Sequence, residues 1–360
     1  VVMAVSKGFL FEPQKYIELR ADGFSLPSPE MRDAMYRAEV GNDGFGEDPS
    51  VNKLEEMSAD IFQKESATFV SSGSMGNLIS MLAYCSEGDS VIIGDNSHTY
   101  NREFNRDQSH KKSLPQILNI QSQAVKTDSK GMLDVEEING FINHEISDHK
   151  LRVMIVENTH NLAGGKILNI NDMNTLYNVV AKSNIPIHLD GARIFNASIA
   201  LDISPEKLTE KTDSVLFCLS KGLGAPVGSL VVGSREFIYE VKEWKKILSG
   251  SMKQAGVIAA AGIVALKNYE TSIRNDHQLA KYLEKRLLEL EKVRVEPVET
   301  NLVYLELDVD DPYIISQKLK QKGINAGPYH SDKRWRLVPH YGLTNNDIDY
   351  FIDTLYTLIN

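Results

Sequence analysis

An α/β fold with a mainly parallel central sheet is the class this chain predicts, followed by a small α+β unit at its C-terminal end. Three observations predict it. Short apolar runs of strand length recur between helical patterns through the first two thirds of the chain; a long Ala- and Leu-rich helical stretch then intervenes; beyond it, strand and helix signals return in a compact set. With 360 residues there is room for one large domain and a smaller one. The expected divisions are an N-terminal segment over 1–30, a large α/β domain over 31–255, and a connecting helix with a small α+β domain over 256–360.

In chain order, the strand-like runs are Ala67 to Val70, Ser90 to Ile93, Leu151 to Val156, Ile185 to Leu189, Ser214 to Phe217 and Ser229 to Val232. Most are apolar on consecutive rather than alternate residues, as strands covered on both faces require. A helical pattern opens at Ser71 to Asn77, directly after the first run. From Ser251 to about Lys292 the pattern is helical again, with a break expected near Asn268. Leu302 to Leu307, a helix over about Pro312 to Lys322, the run Trp335 to Val338 and a final helix from about Asn345 complete the small unit.

Composition excludes several classes. Hydrophobic content of 42% and charged content of 24% are ordinary for a globular protein. A net charge of −10 argues against nucleic-acid or anionic-membrane partners, which need clustered basic residues. Cys85 and Cys218 both lie in apolar runs and read as buried free thiols. The run Gly8 to Phe11 is too short for a signal sequence core and no run approaches a membrane span, so the expectation is a soluble cytoplasmic protein.

The chemistry is carried by Lys221 and Asp190. Lys221 lies between Ser220 and Gly222 in a glycine-rich turn, and Asp190 ends an apolar strand about 30 residues earlier. This pairing suits pyridoxal phosphate: the lysine forms the Schiff base, and a buried carboxylate keeps the pyridine nitrogen protonated so that the ring can accept electrons. Ser71-Ser72-Gly73-Ser74 at a strand-to-helix turn offers backbone N–H groups for a phosphate. His98 and His160 each follow a strand, and either is a candidate general base; His98 is also a candidate for stacking on the ring. Arg193 and Arg336 are candidates for a bidentate grip on an amino-acid carboxylate.

Together these segments resemble the L-threonine aldolase family of fold-type-I pyridoxal phosphate enzymes, grouped with the β-eliminating lyases. Val40 to Asn52 is close to that family's VGDDVYGEDPTVN, and the runs Phe69 to Asn77, Glu157 to Asn161, Leu189 to Arg193, Phe217 to Gly228, Met252 to Gly256 and Arg336 to His340 follow in the family's order. The resemblance implies a fold-type-I architecture. It makes Lys221 the Schiff-base lysine and Asp190 the partner of the ring nitrogen. Gly73 and Ser74 become phosphate ligands, His98 stacks on the ring, and Arg193, close to the cofactor, holds the substrate carboxylate with Arg336. It also implies a homodimer or homotetramer whose sites are shared between subunits, with Lys253, in place of the family's arginine, near the phosphate of a neighbouring subunit.

The chain departs from the family at Ala21 and Gly23, which replace two hydroxyl residues, at Phe45, which replaces a tyrosine, at Ser249 and Ser251, and in a polar stretch from Asn101 to Leu114. The expected reaction is aldol cleavage of a β-hydroxy-α-amino acid, L-threonine or L-allo-threonine, to glycine and an aldehyde. The rival keeps the cofactor and changes the reaction to β-elimination, transamination, decarboxylation or racemisation. A catalytically silent binding homologue is the third class, disfavoured by the presence of Lys221, Asp190, His98 and Arg193.

Overall fold

Residues 16–104, 111–143, 150–329 and 334–360 are described by a computed structural model, and within them a seven-stranded sheet positions the site. The first strand of the chain, β1 (Ile17–Glu18), lies outside that sheet. The sheet comprises β2 (Ser66–Val70), β3 (Ser90–Gly94), β4 (Gln121–Val125), β5 (Leu151–Glu157), β6 (Ile187–Asp190), β7 (Ser214–Cys218) and β8 (Ser229–Gly233), in the spatial order β2-β8-β7-β6-β5-β3-β4. Neighbours from β7 across to β4 are parallel, whereas β8 is antiparallel to both β7 and β2.

The consecutive apolar runs form these strands because helices cover both faces; every residue of β3, β7 and β8 is buried. Pairing in β6 starts at Ile187 rather than Ile185, since Pro186 has no N–H to give a ladder. Sequence reading did not anticipate β4. It is the edge strand, Gln121-Ser122-Gln123-Ala124 are only half-buried, and polar side chains there leave no apolar run to detect.

The long helix spans Gly256–Leu287 without the break expected at Asn268. One asparagine costs a helix only a fraction of a kcal/mol, and Asn268 is tied by its amide to Glu30 Oε2 at 3.1 Å. Beyond it, β9 (Val293–Val295), β10 (Val303–Leu307) and β12 (Arg334–Leu337) form an antiparallel sheet with β10 in the centre. The short strand β11 (Ile324–Asn325) pairs in parallel with β1. Ile17 and Leu19 therefore share a core with Trp335, Leu337 and Phe351, and the Leu19 carbonyl accepts the Val338 N–H at 2.8 Å. This pairing delivers the residues after Leu19 to the sheet edge.

Cys85 and Cys218 are buried and free, as expected. Among the described residues no helix is long and apolar enough to cross a membrane.

Candidate active site

Strands β6 and β7 are parallel neighbours with Asp190 opposite Leu216, so Asp190 and the turn after Cys218 leave the sheet at the same carboxyl edge. That edge is where open α/β sheets hold ligands. Asp190 is 2% exposed. Its Oδ2 accepts from Asn77 Nδ2 at 2.8 Å and Thr99 Oγ1 at 2.9 Å, while Oδ1 has the Ala192 N–H at 3.3 Å. A helix and the loop after β3 thus converge on one carboxylate.

Lys221 lies half-buried in the connection from β7 to β8. The turn is closed by Leu219 N–H to Gly228 O at 3.0 Å and Gly224 N–H to Lys221 O at 2.8 Å. Gly228 has φ +104°, and a Cβ there would come within 2.3 Å of the Phe69 ring, so glycine alone fits. The Lys221 ammonium acts electrostatically on both Asp22 and His98, which places the three in one field.

Ser72 caps the Gly73–Tyr84 helix by accepting the Met75 N–H at 3.2 Å, and the first backbone bond runs from Gly76 N–H to Ser72 O at 3.0 Å. The amides of Gly73 and Ser74 therefore precede the helix's own hydrogen bonding and point where an anion gains most from the dipole. An acceptor carboxylate, a nearby amine and a helix N-terminus at one sheet edge form a donor set that fits pyridoxal phosphate.

His98 follows β3. Its backbone N–H donates to Glu157 Oε2 at 2.6 Å, and Glu157 Oε1 accepts the Asn161 N–H at 2.8 Å. Glu157, which sequence reading passed over, thereby ties the loop carrying His98 to the loop carrying His160. The His98 Nδ1 lies 3.4 Å from Glu103 Oε2. Burial alone would lower the pKa of His98, but the Glu103 carboxylate at 3.4 Å, with Asp190 adding, outweighs it and raises the pKa above the ordinary histidine value. Glu103 is itself buried, on the π-helical turn Tyr100–Phe104. That turn begins the polar stretch singled out in the sequence; Arg106 and His110 lie outside the described residues.

His160 is 1% exposed. Its Nδ1 accepts the Ala163 N–H at 3.2 Å, so the proton sits on Nε2, which is buried with no acceptor among the described residues.

Arg193 is buried, and its Nε and Nη2 form a two-bond pair with Asp22, each at 2.7 Å. Desolvation opposes both charges. For Asp22 the Arg193 guanidinium, with Lys221 and Arg336 nearby, prevails and holds the carboxyl well below the usual range; Arg193 is raised correspondingly. Two of the donors expected to face a substrate are thus committed to Asp22, to which the sequence reading gave no role. Arg336 is 7% exposed rather than solvent-facing as its place in a strand allowed. Its Nη1 donates to Asn161 Oδ1 at 2.7 Å, its Cζ stands 3.6 Å from the Tyr329 ring centroid, and its Nε is buried without an acceptor among the described residues. A cleft of about 520 Å³ opens beside it, with Ala21 and Phe24 on its wall.

Lys253 is not brought into this cluster. It is exposed, bridged through its backbone to Asn42, beside the loop that carries the exposed Phe45.

Comparison with known proteins places this geometry. A family model described as Beta-eliminating lyase matches residues 18–310. The chain is 37% identical over 343 residues to low-specificity L-threonine aldolase 1 of Arabidopsis thaliana, covering 93% of this chain and 94% of that one. It is 33% identical over 335 residues to the low specificity L-threonine aldolase of Escherichia coli (strain K12), covering 92% and 96%. The solved structure of Leishmania major threonine aldolase aligns with a TM-score of 0.77 at 16% identity, over 96% of this chain and all of that one, which shows a shared fold.

Proposed function

This chain belongs to the beta-eliminating lyase family, and we propose that it is a pyridoxal 5'-phosphate-dependent aldehyde-lyase, cleaving L-threonine or L-allo-threonine between Cα and Cβ to glycine and acetaldehyde. The observation that carries the reading is the buried Asp190 carboxylate, held by Asn77 and Thr99 at the same sheet edge from which Lys221 emerges. When bound, the cofactor supplies an electron sink for the pair released at Cα. Lys221 would anchor it covalently, the Gly73 and Ser74 amides would hold its phosphate, Asp190 would pair with its ring nitrogen, and His98 would pack beside the ring.

Cleavage requires a β-hydroxyl proton to leave. His98 is the group we assign to receive it. With Nδ1 facing the Glu103 carboxylate at 3.4 Å, its Nε2 is the nitrogen assigned to take the proton, whereas His160 carries its proton on Nε2 and is fitted to donate to a substrate oxygen. Arg336 Nε, lacking an acceptor, is the donor we assign to the substrate carboxylate, with the part of Arg193 outside its Asp22 pair completing the grip. The protein acts as a homo-oligomer, dimer or tetramer, in which Lys253 reaches the cofactor phosphate of a neighbouring subunit.

A panel of amino acids tests the reaction. Equimolar glycine and acetaldehyde from threonine or allo-threonine support it; pyruvate, ammonia or carbon dioxide instead would establish one of the other reactions open to this cofactor. The hydroxyl-free Ala21 on the cleft wall favours keeping that second reading in the panel. Borohydride treatment followed by peptide mapping should locate the cofactor on Lys221, and attachment at another residue overturns the site.

A further inference from the structure

The Asn77 contact with Asp190 continues into a buried polar chain whose other members, His188, Ser214 and Tyr84, have no role above. His188 and Asp190 are two apart on β6 and share a face of the strand; Ser214 is the register partner of His188 on β7. Asn77 and Tyr84, seven apart on the covering helix, share one face of it. These five side chains are linked in order. Tyr84 Oη lies 2.9 Å from Ser214 Oγ, which lies 2.8 Å from His188 Nδ1; His188 Nε2 lies 3.2 Å from Asn77 Oδ1; and Asn77 Nδ2 donates to Asp190 Oδ2 at 2.8 Å.

The direction of every bond follows from the Asp190 end. The Asn77 NH₂ can only donate, so it takes the carboxylate, and its Oδ1 can only accept. His188 must therefore carry its proton on Nε2. Its Nδ1 is then an acceptor, Ser214 must donate to it, and Tyr84 must donate to Ser214. Burial raises the pKa of the Tyr84 hydroxyl, which keeps it a donor, and pushes His188 down to about 4 against a weaker opposing pull from Asp190, which keeps the imidazole neutral. The two groups facing the His188 ring are both neutral, which suits a neutral imidazole.

We propose that Tyr84, Ser214, His188 and Asn77 form a one-way hydrogen-bond relay that positions Asp190, committing Oδ2 to protein donors and leaving Oδ1 for the cofactor's ring nitrogen. The four are positioning residues, since none touches the reacting atoms. Thr99 closes the same oxygen from the other side. Each bond polarises the next in a dry environment, so loss is felt most nearest the carboxylate.

The relay rests on the cofactor assignment, and the tests separate the two. Nitrogen-15 NMR of histidine-labelled protein, with and without pyridoxal phosphate, should show His188 as the neutral Nε2–H tautomer in both states and untitrated across neutral pH. The Nδ1–H tautomer, or protonation near neutral pH, overturns the relay without reference to function. Equilibrium binding of pyridoxal phosphate should weaken about tenfold in Asn77→Ala, as for loss of a hydrogen bond to a charged group, and less in Ser214→Ala. Ser214→Thr, which keeps the hydroxyl, should restore parental affinity. Parental binding by a folded Asn77→Ala would refute the positioning of Asp190; should that variant fail to fold, the tautomer and the Ser214 pair decide. Failure of the unmodified protein to bind the cofactor at all overturns the relay's role together with the functional reading.

Discussion

Glu103 shows how a single buried charge sets the proton chemistry of its neighbour. His98 must be neutral at Nε2 to take a proton, and the Glu103 carboxylate, prevailing over burial, raises the pH at which that happens. If His98 is the base, the acid limb of kcat/KM should accordingly lie above the ordinary histidine value. In Glu103→Gln it should move to lower pH, measured over a pH series with threonine; an unmoved limb would show that His98 is not the group titrating. The coupling also stabilises the fold below the unfolded histidine pKa and is lost as pH rises through the folded value. Asp22 has the opposite sign: its lowered pKa contributes stability above the unfolded carboxylate pKa, lost only as pH falls through the folded value. Asp22→Asn strands the buried Arg193 charge and should cost about 3 kcal/mol of stability by urea denaturation at neutral pH. A change near zero would mean that water reaches Arg193. Lys221 and Asp190 were legible in the sequence because a strand end and a glycine turn mark them locally. Glu103, Glu157 and Asp22 were not, because their partners lie 5, 59 and 171 positions away or on another element and only the fold brings them together.

At the scale of elements, apolar runs announce buried strands, and β2, β3, β5, β7 and β8 stand where those runs predict. The misses share a cause. Edge strand β4 is polar, and β1, β9 and β11 are three residues or shorter, so their pairing rests on tertiary contact rather than on any periodic signal. The parallel pairing of β1 with β11 has a functional result: it carries Ala21 and Asp22 to Arg193 and Arg336. The turn between β7 and β8 does the same for Lys221. Gly228→Ala places a methyl against the Phe69 ring at a left-handed backbone angle and should destabilise by about 3 kcal/mol, combining overpacking with backbone strain. Thermal denaturation would show the loss, and reduced borohydride-fixable cofactor would show that the turn, not merely the core, has moved. A variant with parental stability would mean that the turn relaxes freely.

Across the whole molecule, several large apolar side chains stand exposed. Tyr36 is 90% exposed and Phe45 79%, and Leu26 and Ile247 are also exposed. Lys253 is exposed as well, bridged to Asn42 beside the loop that carries Phe45 and not brought into the Lys221 cluster. On the proposed closed symmetric assembly, a self-complementary face would cover such apolar residues and bring Lys253 to the partner's cofactor. Complementation tests the arrangement. Lys221→Ala and Lys253→Ala should each have little activity alone, the second through weakened cofactor binding. When the two are unfolded and refolded together in equal amounts, half of the dimers are mixed, and each mixed dimer contains one site with both lysines intact. About a quarter of parental activity should return at a cofactor concentration that saturates the parental protein but leaves Lys253→Ala alone largely empty. If instead Lys253 serves the Lys221 of its own chain, every mixed dimer is defective at both sites and no activity returns. Sedimentation of the refolded mixture confirms that assembly occurred, so the absence of complementation would place Lys253 in its own subunit's site, and a fully active Lys253→Ala protein would place it outside the chemistry altogether.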